Sequence, residues 1–297
     1  MLHWPKETVS ARNEIPEWSQ PGSNLCLDFH GNPSAANLVV FSDGNHHMAL
    51  METLQLFHNN NPDVGEIFYV TTPPGPILQL LRKGGLQIGN FILEVKPNIF
   101  FSPPSLLDQL ADEGYMQSHV PFMKNRGSVL LIKRGNPKNV RGIADVLRPD
   151  VTLFLPNPKR EKVSFNGYLN TIRGLAAWDS IDLPFSVDEH PVTGICYGER
   201  IHHREAPEVI IAEKADVALV YYHLALRYTR IFPELFDIIP LGGTVEDPQP
   251  FPENIVSTTH VGLIDGGGEW GHVFLEFLTS ESVGRIYAYH GLSCIMT

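Results

Sequence analysis

The sequence predicts an α/β protein whose sheets carry helices on both faces. Short runs rich in Val, Ile, Leu and Phe alternate with longer stretches of helical periodicity, and Gly, Pro, Asn and Asp gather at the junctions. A chain of 297 residues can form one large or two medium domains, and 43% hydrophobic against 19% charged residues supports packed cores rather than disorder. No repeat, low-complexity tract or long linker interrupts the alternation.

Asn37 to Phe41 reads as a buried strand, followed by the turn-like Ser42-Asp43-Gly44-Asn45. His46 to Phe57 follows as a helix, with Met48, Met51, Leu54 and Phe57 recurring on one face. Ile67 to Val70 is the second strand. Thr71 to Gly75 is a loop, and Ile77 to Arg82 a helix stopped by Gly84-Gly85. Ile99 to Phe101 and the helix Pro104 to Glu113 complete this series. Val129 to Lys133 is a strong strand, Arg134 to Pro137 a turn, Ile143 to Leu147 a short helix, and Thr152 to Leu155 another strand. A helix is expected over Gly167 to Ala177, a loop or edge over Ile181 to Asp188, and a helix from Glu205 to Glu213 that leads into the strand Val217 to Tyr222. Strands at Ile238 to Leu241 and Thr258 to Ile264 precede two closing helices, Glu269 to Leu278 and Ser282 to His290.

The net charge of −11 disfavours nucleic acid and anionic membrane as partners, while leaving room for a small anion in a local pocket. No apolar run approaches the roughly 20 residues of a membrane span. The first residues lack the apolar stretch of a secretory leader, and Pro5, Pro16 and Pro21 break any helix there. Read from a native Met1, the chain is expected in the cytoplasm; with a leader removed, the expectation is periplasmic. Cys26, Cys196 and Cys294 are widely spaced and match no metal-ligand pattern, so they read as buried reduced thiols.

Six segments in order carry a resemblance. They are LVVFSDGNHHMALMETLQLFHNNNPDV, FYVTTPPGPILQLLRKGG, PNIFFSP, VLLIKRGNPKNVRGIADVLRPDVTLFLPNP, EVIIAEKADVALVYYHLA and HVFLEFLTSESVGRIYAYHGL, spanning roughly residues 37 to 292. Their order and spacing resemble type II periplasmic binding proteins, with the molybdate and tungstate binders of ABC transporters most similar. The resemblance implies a two-lobed α/β fold with two crossover strands and a ligand cleft between lobes. Lobe one would comprise residues 1–118 with 238–297, and lobe two residues 119–237. It also implies a solute-binding protein rather than an enzyme, a molybdate-like oxyanion as solute, and an ABC transporter permease as partner.

Loops at strand C-termini that enter helices present backbone N–H groups and a positive dipole end, which suits a dehydrated oxyanion. Three places have that layout: Ser42 to His47, Thr71 to Gly75 and His202 to Ala206. By the resemblance, Asn45 stands where a serine is usual, the second expected serine falls on Pro74, and Tyr221 matches the tyrosine after the buried strand. Pro74 has neither hydroxyl nor N–H, so Thr71 and Thr72 are the donors expected there. His46-His47 and His202-His203 open two helices, flanked by Glu199, Arg200, Arg204 and Glu205. Protonated, these histidines would assist an anion; neutral, they would ligate a divalent transition metal. The ligand-binding candidates are therefore Asn45, His46, His47, Thr71, Thr72, His202, His203 and Tyr221, and the metal candidates are the four histidines. No cofactor beyond a bound oxyanion or metal is implied.

Three other features carry less. Gly266-Gly267-Gly268 lacks the Lys-Ser/Thr of a phosphate loop and reads as a helix entry. Asp28 and His30 read as a turn rather than an orienting dyad, and Ser102 in FFSPP lacks the glycines of a nucleophile elbow. A metal-dependent hydrolase stays the third alternative, with no nucleophile and base at recognisable spacing.

Overall fold

The computed structural model describes residues 29–71, 74–84, 86–88, 91–181 and 194–296. The chain has the two-lobed mixed α/β fold that the sequence predicts and divides into two compact units. One unit runs to Met123 and takes in Thr258–Tyr289 and the residues from Cys294; the other holds Lys124–Ser257 and His290–Ser293.

The first unit is built on a seven-stranded sheet. Its strands, numbered in chain order, are β1 (Phe29–His30), β2 (Ala36–Ser42), β3 (Glu66–Thr71), β6 (Ile99–Ser102), β7 (His119–Lys124), β13 (Thr258–Leu263) and β14 (Ser293–Cys294), in the order β1-β3-β2-β6-β13-β7-β14. A separate hairpin pairs β4 (Leu86–Ile88) with β5 (Phe91–Leu93). The strands β3, β2 and β6 are parallel, so their C-terminal ends lie together at one edge. Alternation along these strands builds two cores. Val39, Phe41, Phe68, Val70 and Phe100 pack with Ile77, Leu80 and Leu81 of α2 (Pro74–Lys83) and with Leu107 and Leu110 of α3 (Pro104–Asp112). Phe101 belongs to an aromatic cluster with Phe122 of β7 and Phe274 of α8 (Gly268–Phe277), at ring distances of 5.2 and 6.5 Å. Phe57 of α1 (His47–Asn60) and Tyr287 of α9 (Glu281–Tyr289) extend it, 4.9 Å from Phe274 and Phe122 respectively.

The buried face of α1 is Ala49, Leu50, Thr53, Leu54 and Phe57, while Met51 is 42% exposed. A spacing of three along the sequence predicts Met51 on the inward face. A helix of 3.6 residues per turn drifts off that stripe and favours 50, 53, 54 and 57.

The second unit is a five-stranded sheet of β8 (Ser128–Lys133), β9 (Leu153–Leu155), β10 (Ile195–Tyr197), β11 (Val217–Tyr221) and β12 (Phe236–Pro240), ordered β10-β9-β11-β8-β12. The strands β10, β9 and β11 run parallel, and β8 is antiparallel to both β11 and β12. One face packs against α4 (Ile143–Val146) and α5 (Lys162–Trp178), the other against α6 (His202–Ile211) and α7 (Tyr222–Ile231). The strand β12 pairs along its whole length with β8, so the residues from 238 to 257 belong to this unit, whereas the resemblance implies them in the first.

Helix α6 begins at His202, earlier than the expected Glu205, and keeps Pro207 inside it. A proline there removes the N–H that would bond the His203 carbonyl. The Tyr228 hydroxyl donates to that carbonyl instead, which lets the helix start one turn earlier.

Within the second unit, two asparagines tie together the segments at which the chain enters and leaves it. Asn125 N–H donates to Ser257 O at 3.0 Å, and Ser257 N–H donates to Asn125 Oδ1 at 3.2 Å. Buried Asn254 accepts from Ser128 N–H at 2.8 Å and donates through Nδ2 to the carbonyls of Ser128 at 2.8 Å and Leu241 at 3.3 Å. Gly127 lies between them with φ +74°, and a Cβ there would sit 2.7 Å from Pro250 Cβ and 2.9 Å from Asn254 Nδ2, so only glycine fits.

Candidate functional site

In the first unit the ends of the three parallel strands each finish on a hydroxyl: Ser42 on β2, Thr71 on β3 and Ser102 on β6. Ser42 is in register with both Thr71 and Phe101, which sets Ser42 and Thr71 side by side. All three residues are buried, and Ser102 Oγ has no hydrogen-bond partner. The strand ends feed the loop Ser42 to His46 and the N-terminus of α1, which no side chain caps. Ligands of parallel α/β sheets bind at such strand ends, where helix N-termini supply N–H donors.

His46 is buried and both its ring nitrogens are engaged. Nε2 lies 2.9 Å from Ser42 Oγ, and Nδ1 lies 2.7 Å from the Tyr287 hydroxyl. The chemistry fixes the tautomer. Burial holds the Tyr287 phenol well above its ordinary pKa, so it stays a neutral O–H donor that needs an acceptor. That acceptor is Nδ1, which puts the ring proton on Nε2 and makes Ser42 Oγ the receiver. Gly44 N–H also points at Ser42 Oγ, at 3.4 Å. With its oxygen already accepting, Ser42 has its own proton left to give.

Asp43 follows directly. Its Oδ1 accepts from Asn45 N–H at 3.1 Å, while Oδ2 is buried without a partner. Burial, opposed by the hydrogen bonds from Asn45, pushes its carboxyl pKa up to about 6. Asn45 itself is exposed. His47 is half-buried with Nδ1 3.0 Å from Gly44 O.

In the second unit, Tyr221 ends β11 in register with Ser128 at the start of antiparallel β8. Ser128 is buried and its Oγ has no partner. The Tyr221 ring packs 5.1 Å from Tyr168 of α5 and stacks 5.9 Å from His223. His202 is buried, stacked 4.8 Å from Phe154, and its Nε2 meets Phe154 O at 3.3 Å. Desolvation drives its pKa down to about 3, so the ring is neutral. Its backbone N–H donates to Glu161 Oε2 at 3.0 Å, and Glu205 Oε2 accepts from the N–H groups of Glu199 and Arg200. Acidic side chains thus occupy the first N–H of α6 and two N–H groups just before it. His203 is half-buried.

Of the sequence-based candidates, Asn45, His46, His47 and Thr71 belong to the first unit and His202, His203 and Tyr221 to the second. Thr72, Asp28 and Cys26 lie outside the described residues, as does most of the segment Ile181 to Asp188. Cys196 and Cys294 are free thiols, and His30 stacks on Tyr69. Among the described residues no group of three or more His, Cys, Asp or Glu is arranged to hold a metal ion. Sequence reasoning did not single out Asp43 or Tyr287, which stand beside Ser42 and His46. Asp43 could have been read from its place directly after a strand; Tyr287 lies 241 positions from His46 and gave no local signal.

The sequence profile of a family described as bacterial extracellular solute-binding protein matches residues 38–293. No curated protein matches the chain in sequence. Solved structures share its fold at low identity. The periplasmic molybdate-binding protein of Azotobacter vinelandii is 12% identical, with 86% of this chain and 98% of that one covered and a TM-score of 0.55. The tungstate-binding protein of Desulfovibrio alaskensis is 12% identical, covers 88% and 98%, and scores 0.56. The sulfate-binding protein of Mycobacterium tuberculosis is 16% identical, covers 87% and 86%, and scores 0.57. The extracellular family supports the periplasmic alternative and gives no support to the expectation of a cytoplasmic protein. Among the described residues no helix is long and apolar enough to cross a membrane.

Proposed function

Because the chain belongs to the bacterial extracellular solute-binding proteins, we propose that it captures a small tetrahedral oxyanion of the molybdate, tungstate or sulfate class and delivers it to an ABC transporter permease. The protein binds and does not catalyse, and it works in the periplasm or at the outer face of the membrane. One observation carries the choice of an anion: the Tyr287–His46 relay leaves Ser42 as a hydrogen-bond donor at the strand ends. A fully ionised oxyanion has acceptors alone, so it matches a site of donors.

In this reading Ser42, Thr71, Ser102 and Asn45 of the first unit supply the contacts, together with the N–H groups at the start of α1. The orphaned hydroxyl of Ser102 supports it, because a buried polar atom without a partner calls for a ligand or water. His46 serves through Ser42 rather than by direct contact, and the metal reading of the histidines loses His46, whose ring nitrogens are already spent.

Calorimetric titration of the purified protein with sulfate, molybdate and tungstate tests the proposal. Saturable one-to-one binding of at least one of them is expected, weakened in Ser42→Ala. Absence of binding to all three in the wild type would falsify it.

A further inference from the structure

The first unit contains an anion of its own where a solute anion is expected. Asp43 Oδ1 accepts the N–H of Asn45, so the carboxyl already occupies a donor of the loop that leads into α1. Its other oxygen, Oδ2, is buried with nothing to bond. Ser42, the donor fixed by His46 and Tyr287, is the preceding residue. An ionised carboxylate here opposes a divalent oxyanion twice, by repulsion and by holding the same N–H group.

A neutral carboxyl reverses both effects. Its hold on Asn45 N–H weakens, and it gains an O–H to donate. We propose that solute capture takes up one proton from solvent at Asp43, whose neutral carboxyl then donates through Oδ2 to the bound oxyanion. The proposal rests on the oxyanion reading above. It deepens that reading by making Asp43 a ligand-contacting residue and binding an event coupled to proton uptake.

The free protein is poised for this. Burial has already lifted the Asp43 carboxyl to about 6, so a neighbouring anion needs to move it only a little further. The groups that face the loop do not compete for the proton. Tyr287 on α9 is held well above the ordinary tyrosine range by burial, with Asp43 itself contributing, and Cys294 on β14 is pushed up to about 11. From β3 the neighbour of Gly44 is Thr71, and from β6 the neighbour of Asp43 is the Phe101 carbonyl, which accepts Asp43 N–H; neither titrates. His46 and His47 stand on the loop itself, so the experiment separates them from Asp43.

The probe is sulfate, which stays fully ionised across the range and cannot bring the proton itself. Its affinity is measured calorimetrically between about pH 6 and 9, above the free carboxyl and across the imidazole range. Each point is run in two buffers of different protonation enthalpy. The expected wild-type result is an affinity that falls toward tenfold per pH unit above about pH 6, with close to one proton taken up per sulfate. Asp43→Asn, which keeps the shape and a donor, is expected to bind with a flat pH profile and no proton uptake. His47→Ala is expected to keep the wild-type slope.

Sulfate binding that is flat in pH, with heat independent of buffer, overturns the proposal while leaving the oxyanion reading intact. A slope that survives in Asp43→Asn also overturns it, and assigns the proton to a histidine if the slope is lost in His47→Ala. No binding of sulfate, molybdate or tungstate at any pH overturns both.

Discussion

Removing a single oxygen from Tyr287 separates the relay from its surroundings. In Tyr287→Phe the ring still fills its place 4.9 Å from Phe122, so packing is kept and one hydrogen bond is lost. His46 Nδ1 stays buried and loses the donor at 2.7 Å. Leaving a buried polar atom unpaired costs about 1–3 kcal/mol, which for a chain of this size lowers the thermal midpoint by roughly 2–10 °C. The effect on binding follows from the tautomer. Without the phenol proton on Nδ1, the ring proton is free to move there, and Nε2 becomes an acceptor for the Ser42 hydroxyl. Ser42 then spends its proton inward. Hydrogen bonds to a charged group contribute about 1.5–3 kcal/mol, so losing most of one weakens sulfate or molybdate affinity by roughly tenfold. Circular dichroism melts and calorimetric titration of the same preparations measure both quantities. A variant that melts lower yet binds within about twofold of wild type refutes the tautomer argument. In that case Ser42 donates to His46 already, and the relay is structural alone.

Ser102→Ala removes a buried hydroxyl that has no partner, so stability should hold or rise slightly while oxyanion affinity falls; a melt lowered by several degrees would count against an unpartnered Ser102. Asn254→Ala strips buried partners from Ser128 N–H and from the Ser128 and Leu241 carbonyls, and should destabilise by about 2–5 kcal/mol in urea or thermal unfolding. His202 titrates near 3 when folded against about 6.5 unfolded, so between those values the unfolded chain holds the extra proton and stability falls as pH drops. His202→Phe should remove about one proton from the acid slope of stability, and an unchanged slope would contradict a neutral buried ring. Asp43 acts in the opposite sense: its folded pKa is raised to about 6 from 3.8, so its contribution is full below 3.8 and is lost as pH rises through 6. Asp43→Asn should therefore lose stability more steeply on acidification than wild type, measured as the change in melting temperature between about pH 6 and 4.

The elements that periodicity specifies strongly were legible: β2, β3, β6, β8 and β11 are apolar runs of strand length, and α3, α8 and α9 stand within a residue or so of their expected bounds. The strand His119–Lys124 was not, because HVPFMK carries a proline and two basic ends and pairs far away in sequence. The helix Tyr222–Ile231 was hidden by its continuity with β11, since a Tyr-Tyr junction carries no breaker. The candidate site divides along the same line. Strand-end hydroxyls and helix starts are local features, and the loop Ser42 to His47 was singled out from sequence for that reason. What a side chain does there depends on partners that sequence distance conceals. His46 and His202 looked alike as openers of helices that follow polar loops, yet one is clamped between Ser42 and Tyr287 and the other is stacked neutral on Phe154. The difference is set by what stands behind each ring. A phenol in reach of Nδ1 turns His46 into a relay, while an apolar face and a backbone carbonyl turn His202 into core. Position relative to a helix start therefore locates such a site, and the hydrogen-bond partner of the far ring nitrogen decides the histidine's role in it.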